Sequence, residues 1–241
     1  MTTGEQEVPA GARAGAGEPD GRQAAPELAF QVTGAAPVRF AAVPTLSFRI
    51  GVSRTGGGPV RSITLTTTVR IAAPRRRYRP EEQALLTELF GTPDQWARTM
   101  RPLPWARSTT VVAPFTDSTA TEVPVACTWD VELAVAKYFL AVRDGGVPLD
   151  FMFNGTVFFE GEDGRLRTAQ ISWSTDTTFL LPAELWHEVV DASSPGNAWL
   201  RLSRDTFERL YARRSRSAAG GWDEVVNALL DDVEPDPGRQ P

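Results

Sequence analysis

The chain has 241 residues, 41% of them apolar and 23% charged, with a formal net charge of −5. This is the balance of a water-soluble globular protein, and a folded part of roughly 200 residues fits one all-β or α+β domain. The acidic total argues against a dedicated nucleic-acid binder, which needs clustered Lys and Arg to displace counterions.

Residues 1–25 are rich in Gly, Ala, Pro, Glu and Arg and nearly devoid of bulky apolar side chains, so they read as a flexible tail. The period-2 patterning then begins, weakly at Glu27 to Val32 and cleanly from Leu46. Leu46, Phe48, Ile50 and Val52 alternate with Ser47, Arg49, Gly51 and Ser53. After Gly56, Gly57, Gly58 and Pro59, a second run sets Ile63, Leu65, Val69 and Ile71 against Thr64, Thr66, Thr68 and Arg70. These two runs predict a hairpin with one wet face.

Pro80 at a first-turn position, followed by Ala84, Leu85, Leu86, Leu89 and Phe90 and closed by Gly91, predicts a helix inserted after the third strand. Ser108 to Ala113 and Val123 to Ala136 read as strands, the latter carrying Val125, Cys127, Trp129, Val131, Leu133 and Val135 in one register. Leu149 to Glu160 and Leu166 to Leu180 predict a hairpin across Gly161 to Gly164. Asn154-Gly155-Thr156 matches a glycosylation acceptor, but within a strand Gly155 reads as a bulge or a point of close backbone approach.

Pro182 opens a helix whose Leu185, Trp186, Val189 and Val190 share a face. Phe207, Leu210 and Tyr211, then Trp222, Val225, Val226, Leu229 and Leu230, predict two closing amphipathic helices. The fold class is therefore α+β, mainly β: sandwich-like antiparallel sheets of about seven strands, with helices packed at one edge. One domain is expected over 26–230, followed by an acidic tail over 231–241.

Reactive side chains are scarce: one lysine (Lys137), one histidine (His187) and one cysteine (Cys127). A lone cysteine forms no internal disulfide, and no secretory signal or apolar run of roughly 20 residues is present, so a cytoplasmic protein without a membrane span is expected. Cys127 reads as a core thiol. His187, Glu188 and Asp191 match the start of a zinc-protease helix, with Asp where the second His belongs. They fall opposite Leu185, Trp186, Val189 and Val190, so they read as a solvated face, and no metal or other cofactor is expected. Asp130 and Glu132 face away from Cys127 and could pair with arginines of a neighbouring strand.

The concentrated positive charge is Arg75-Arg76-Arg77, followed by Tyr78, on a loop between strand and helix. Arginine forks suit carboxylates, phosphates or a partner's acidic surface, and they can equally pair with Glu81 and Glu82 nearby. Trp105, in the proline-bracketed loop Arg101-Pro102-Leu103-Pro104-Trp105, is the tryptophan expected to contact a partner.

Arg75-Arg76-Arg77-Tyr78, Leu89-Phe90-Gly91, Pro124 to Asp130, Val147-Pro148-Leu149, Phe153 to Phe158, Trp199 to Leu202 and Arg204 to Phe207 together resemble an uncharacterised actinobacterial domain family often encoded near nickel-iron uptake hydrogenase genes. The resemblance implies an accessory protein of a hydrogenase system, acting in assembly, maturation or attachment and binding hydrogenase subunits or maturation factors. One His and one Cys do not suit a carrier of nickel or iron-sulfur clusters. Both lines lead to a non-catalytic module acting by protein–protein binding. The alternatives are an enzyme working with carboxylates, arginines and Tyr78, and a sandwich holding a small apolar ligand between its sheets.

Overall fold

The computed structural model describes residues 25–127, 133–172, 175–193, 200–217 and 220–233. Trp129, Asp130, Glu132, Trp173, Trp199 and most of both expected tails lie outside them.

Eight strands form two antiparallel sheets among these residues. The first sheet has the order β1-β2-β5, from Glu27–Pro37, Thr45–Thr55 and Ser118–Ala126. The second has the order β4-β3-β6, from Leu103–Val112, Val60–Ile71 and Gly146–Glu160, with β7 (Leu166–Gln170) and β8 (Thr177–Pro182) one after the other along the far edge of β6. The expected α+β, mainly β class is therefore what the chain adopts, with eight strands where about seven were read. Alternation produces the core: Leu46, Phe48, Ile50 and Val52 from one sheet meet Ile63, Leu65, Val69, Phe151 and Val157 from the other, all buried.

The expected hairpin between the runs at 46–52 and 63–71 does not form. β2 pairs with β1 and β5, whereas β3 pairs with β4 and β6, so residues 56–59 cross from one sheet to the other. Period-2 alternation fixes which face of a strand is buried and leaves its neighbour open. The crossing is shaped by Gly56 and Gly57, both at positive φ, and by Arg54, whose Nη1 donates to both of their carbonyls at 2.6 and 2.7 Å.

Two further boundaries differ from expectation. The strand read as Val123 to Ala136 ends at Ala126, and Ala134–Ala141 is a helix (α4) that buries Val135, Tyr138, Phe139 and Ala141. Its apolar positions satisfy helical spacing as well as alternation, and packing against neighbouring helices selects the helix. The strand read as Leu166 to Leu180 breaks in two: β7 pairs with residues 156–160 of β6, and β8 with residues 146–151. Gly155 is a point of close backbone approach, at φ 145°, where a Cβ would sit 2.0 Å from the Thr64 carbonyl oxygen.

The long connections gather at one end of the sandwich. Residues 72–102 leave the end of β3 and return to the start of β4, carrying α1 (Pro80–Leu85), α2 (Thr87–Phe90) and α3 (Trp96–Thr99). α4 lies between the end of β5 and the start of β6, and α5 (Ala183–Ser193) follows β8 at the same end. α6 (Arg204–Arg216) and α7 (Trp222–Val233) close the chain as the two expected amphipathic helices, α7 reaching three residues into the stretch read as a tail.

Thr67 occupies an inward position of β3 between Leu65 and Val69, fully buried, and its hydroxyl has no hydrogen-bond partner among the described residues. An unpaired buried hydroxyl costs about 1–3 kcal/mol, so Thr67→Val is expected to stabilise the fold by about 1 kcal/mol. A urea midpoint that rises with unchanged m-value is the expected reading, and a lower midpoint would contradict this account.

Candidate functional site

The arginine loop is anchored rather than free. After the 3₁₀ turn Ala73–Arg75, the backbone is extended at Arg76 and again at Arg79, so successive side chains alternate between inside and outside. Arg76 turns inward and grips Glu82 with both terminal nitrogens, at 2.9 and 3.0 Å; its remaining donors go to the carbonyls of Gly146 (3.2 Å) and Asp144 (3.0 Å). Glu82 also accepts the Arg79 backbone N–H at 2.8 Å, closing the first turn of α1. Burial opposes ionisation of Glu82, yet these hydrogen bonds and the charges of Arg76 and Arg79 hold its carboxyl below the usual range. Burial would likewise depress Arg76, but its bonds to Glu82 and the carboxylate charge keep it above its ordinary value.

Tyr78 is the second inward side chain. Its hydroxyl bonds the Ala73 carbonyl (2.8 Å) and the hydroxyl of Tyr138 on α4 (2.9 Å), and its ring lies edge-on to Trp96. Desolvation raises the pKa of both phenols. Arg75 covers the buried Asp150 of β6 at 2.7 Å, and Arg79 reaches Asp144 at 2.9 Å. Arg77 is exposed, as is Glu81, while Glu82 takes the pairing role foreseen for both.

Of the five residues expected to contact a partner, Arg76 and Tyr78 are thus turned into the fold, Arg75 is half-engaged, and Arg77 is exposed with no ion-pair partner among the described residues. Trp105 is not on a loop: it lies in β4, half-buried, its indole N–H donating to the Ala126 carbonyl (3.3 Å) and its ring against Phe48 and Phe139. The proline bracket suggested a loop, yet Pro104 is accepted on this strand, where the register of pairing with β3 shifts.

His187 does not lie on the solvated face that its helical spacing predicts. It is half-buried, 3.2 Å from the Val142 carbonyl and edge-on to Phe139 and Trp186, while Glu188 and Asp191 are exposed as expected. Cys127 is buried, and burial pushes its thiol up to about 12. No group of three or more His, Cys, Asp or Glu side chains among the described residues could hold a metal ion, and none of the described helices is long and apolar enough to cross a membrane.

A second surface at the same end of the sandwich escaped the sequence reading. The β1–β2 connection, Val38 to Pro44, is apolar except for Arg39. Its base is fixed by the Val38 N–H to the Thr45 carbonyl (2.9 Å), by the Thr45 hydroxyl to the Val43 carbonyl (2.8 Å), and by the Cys127 N–H to the Pro44 carbonyl (2.8 Å). From this base Phe40 stands fully exposed at φ 59°, with Val38 and Val43 also exposed. A bulky residue in the left-handed region is uncommon and costs about 1–2 kcal/mol. Beside it lies an open cleft of ≈ 670 Å³ whose far wall is Val189 and Ala192 of α5. The available signal was an apolar segment between Pro37 and Pro44 where turn residues would be normal.

One packed layer runs between the two surfaces: Tyr78 on Tyr138 of α4, Phe139 of α4 stacked on Trp186 of α5 at 4.7 Å, and Val189 of α5 at the cleft. Among the described residues, no carboxylate lines either the apolar cleft or the smaller one of ≈ 390 Å³ beside Arg76 and Trp96.

Fold and site define a two-sheet antiparallel β-sandwich with a helical cap at one end, bearing an apolar loop and an internally paired arginine loop. The chain belongs to a family of unknown function, DUF6084, whose model matches residues 25–237. No curated protein matches it. Among solved structures it is similar to the putative ApaA protein of Bordetella pertussis, at 12% identity over 65% of this chain and 95% of that one, with a TM-score of 0.25. It is also similar to β-glucosidase 3B of Thermotoga neapolitana (11% identity, 65% of this chain and 17% of that one, TM-score 0.24) and to a β-glucosidase of Kluyveromyces marxianus (8%, 65% and 15%, TM-score 0.23).

Proposed function

We propose that this protein is a non-catalytic accessory module that binds a partner protein through the capped end of its sandwich, with Phe40 as the anchor and Arg77 as a peripheral charge contact. The observation carrying this reading is Phe40 itself: an aromatic ring held wholly in solvent by a strained backbone, on an apolar loop with a fixed base. Strain of this kind concentrates at functional positions, and contiguous exposed apolar surface marks interaction sites. Loops at one end of a β-sandwich are a recurrent place for recognition. The family resemblance read from the sequence supplies the setting, an actinobacterial cytoplasmic protein in the assembly or maturation of a nickel-iron hydrogenase. The carboxylate-and-arginine enzyme has less support, since Glu82, Asp144 and Asp150 are each engaged by arginine.

The test separates binding from stability. Phe40→Gly relaxes the left-handed residue, so it is expected to leave the melting temperature unchanged or raise it while abolishing capture of hydrogenase subunits from the native host. Arg77→Glu is expected to weaken capture without loss of stability. Hydrogenase subunits absent from wild-type pull-downs, or still captured in full by Phe40→Gly, would sink the proposal. Changing Arg75, Arg76 and Arg77 together would be uninformative, because Arg76 holds the loop together.

A further inference from the structure

We propose that the α6–α7 hairpin is a self-association surface on which a second copy of this chain docks reciprocally, α7 of each copy lying in the groove of the other's α6. The two helices, of 13 and 12 residues, lie against each other through Phe207, Tyr211 and Trp222, an Arg214 guanidinium over the Trp222 ring, and an Arg213–Asp232 ion pair at 3.1 Å. No residue of α6 is buried, and Val225 alone is buried on the described part of α7, outside the sandwich core. Helices this short are marginal in water and depend on packing an apolar face, yet Phe207, Tyr211, Val226 and Leu230 remain exposed.

Charge complementarity identifies the occupant. α6 carries five arginines against Asp205 and Glu208, whereas α7 carries four carboxylates and no basic residue. Along α6, where it meets Leu229 of α7, an open groove of ≈ 430 Å³ is lined by Leu210 and Leu229 together with Arg209, Arg213 and Arg216. Arg209 and Arg216 have no carboxylate partner among the described residues, and neither do Asp223 and Asp231 on α7. On α7, Asp223, Val226 and Leu230 share a face by helical spacing, the pattern an arginine-walled apolar groove accepts. A two-fold arrangement satisfies both grooves at once and completes a four-helix bundle.

Sedimentation velocity of the full chain across the micromolar range is expected to show a monomer–dimer equilibrium that weakens with added salt. Leu230→Glu, at an exposed position, is expected to weaken the dimer at least about tenfold while leaving helicity by circular dichroism unchanged. Arg209→Glu with Arg216→Glu in one protein, and Asp223→Arg with Asp231→Arg in another, are each expected to be monomeric alone and to associate when mixed, because mixing restores both contacts. A wild-type chain that stays monomeric, a dimer indifferent to Leu230→Glu, or charge-swapped variants that ignore each other would each overturn the proposal.

Discussion

Glu82→Ala is expected to cost about 3–5 kcal/mol, because it strands a charged guanidinium inside the protein. Glu82 is 3% exposed and the Arg76 side chain 11% exposed, and the bidentate grip between them is the one ion pair of that guanidinium among the described residues. Carbonyls of Gly146 and Asp144 remain as acceptors for Arg76, but they carry no compensating charge. The backbone N–H of Arg79 also loses its acceptor. The pair joins α1 to the turn that leads into β6, so the destabilisation should unfold the helical cap first. Urea unfolding of the variant checks the magnitude, and a loss below about 1 kcal/mol would show the pair to be screened like an exposed one. Replacing both partners, Arg76→Met with Glu82→Leu, is expected to recover most of the loss, since matched apolar residues avoid the desolvation of two charges.

The same carboxylate fixes a direction of pH dependence. Its folded pKa lies below the unfolded value, so its contribution is complete above about pH 4.3 and is lost as the pH falls through the lower folded value. Stability should therefore fall on acidification below that range, and Glu82→Gln should flatten the fall.

Phe48→Ala is the second large effect, expected at about 3–5 kcal/mol from the cavity it opens. Phe48 is completely buried on β2, and its ring meets Phe151 of β6 at 5.1 Å, Phe179 of β8 at 6.0 Å and Trp105 of β4 at 6.1 Å. One side chain of the three-stranded sheet thus touches three strands of the other, so its loss acts on the contact between sheets rather than within either. For a domain of this size the melting temperature should drop by about ten degrees, with Phe48→Leu losing roughly half as much. An effect near 1 kcal/mol would mean that the sheets close over the gap.

Where the sequence reading succeeded and where it failed follow one rule. Inward positions at Leu46, Phe48, Ile50, Ile63, Leu65, Val69 and Ile71 were legible, because alternation is written in neighbouring residues. Partnership was not: β2 and β3 are adjacent in sequence and lie in opposite sheets. At the site, the pairing of the arginine cluster with Glu82 could be foreseen from spacing along one chain segment. The partners of Tyr78, Arg79 and Arg75, namely Tyr138, Asp144 and Asp150, could not, because they come from α4, the following turn and β6, 60 to 75 residues away.

The sequence by itself determined the antiparallel sandwich class, the buried faces, the helical stretches that follow Pro80 and Pro182, and the scarcity of reactive side chains. These are properties of local periodicity and composition, which neighbouring residues carry. Only the tertiary structure decided that 56–59 crosses between sheets, that 134–141 is helical, that Arg76 and Tyr78 face inward, and that Phe40 is left in solvent. Each depends on which distant surface a segment meets, and that choice is made by packing and desolvation over the whole chain.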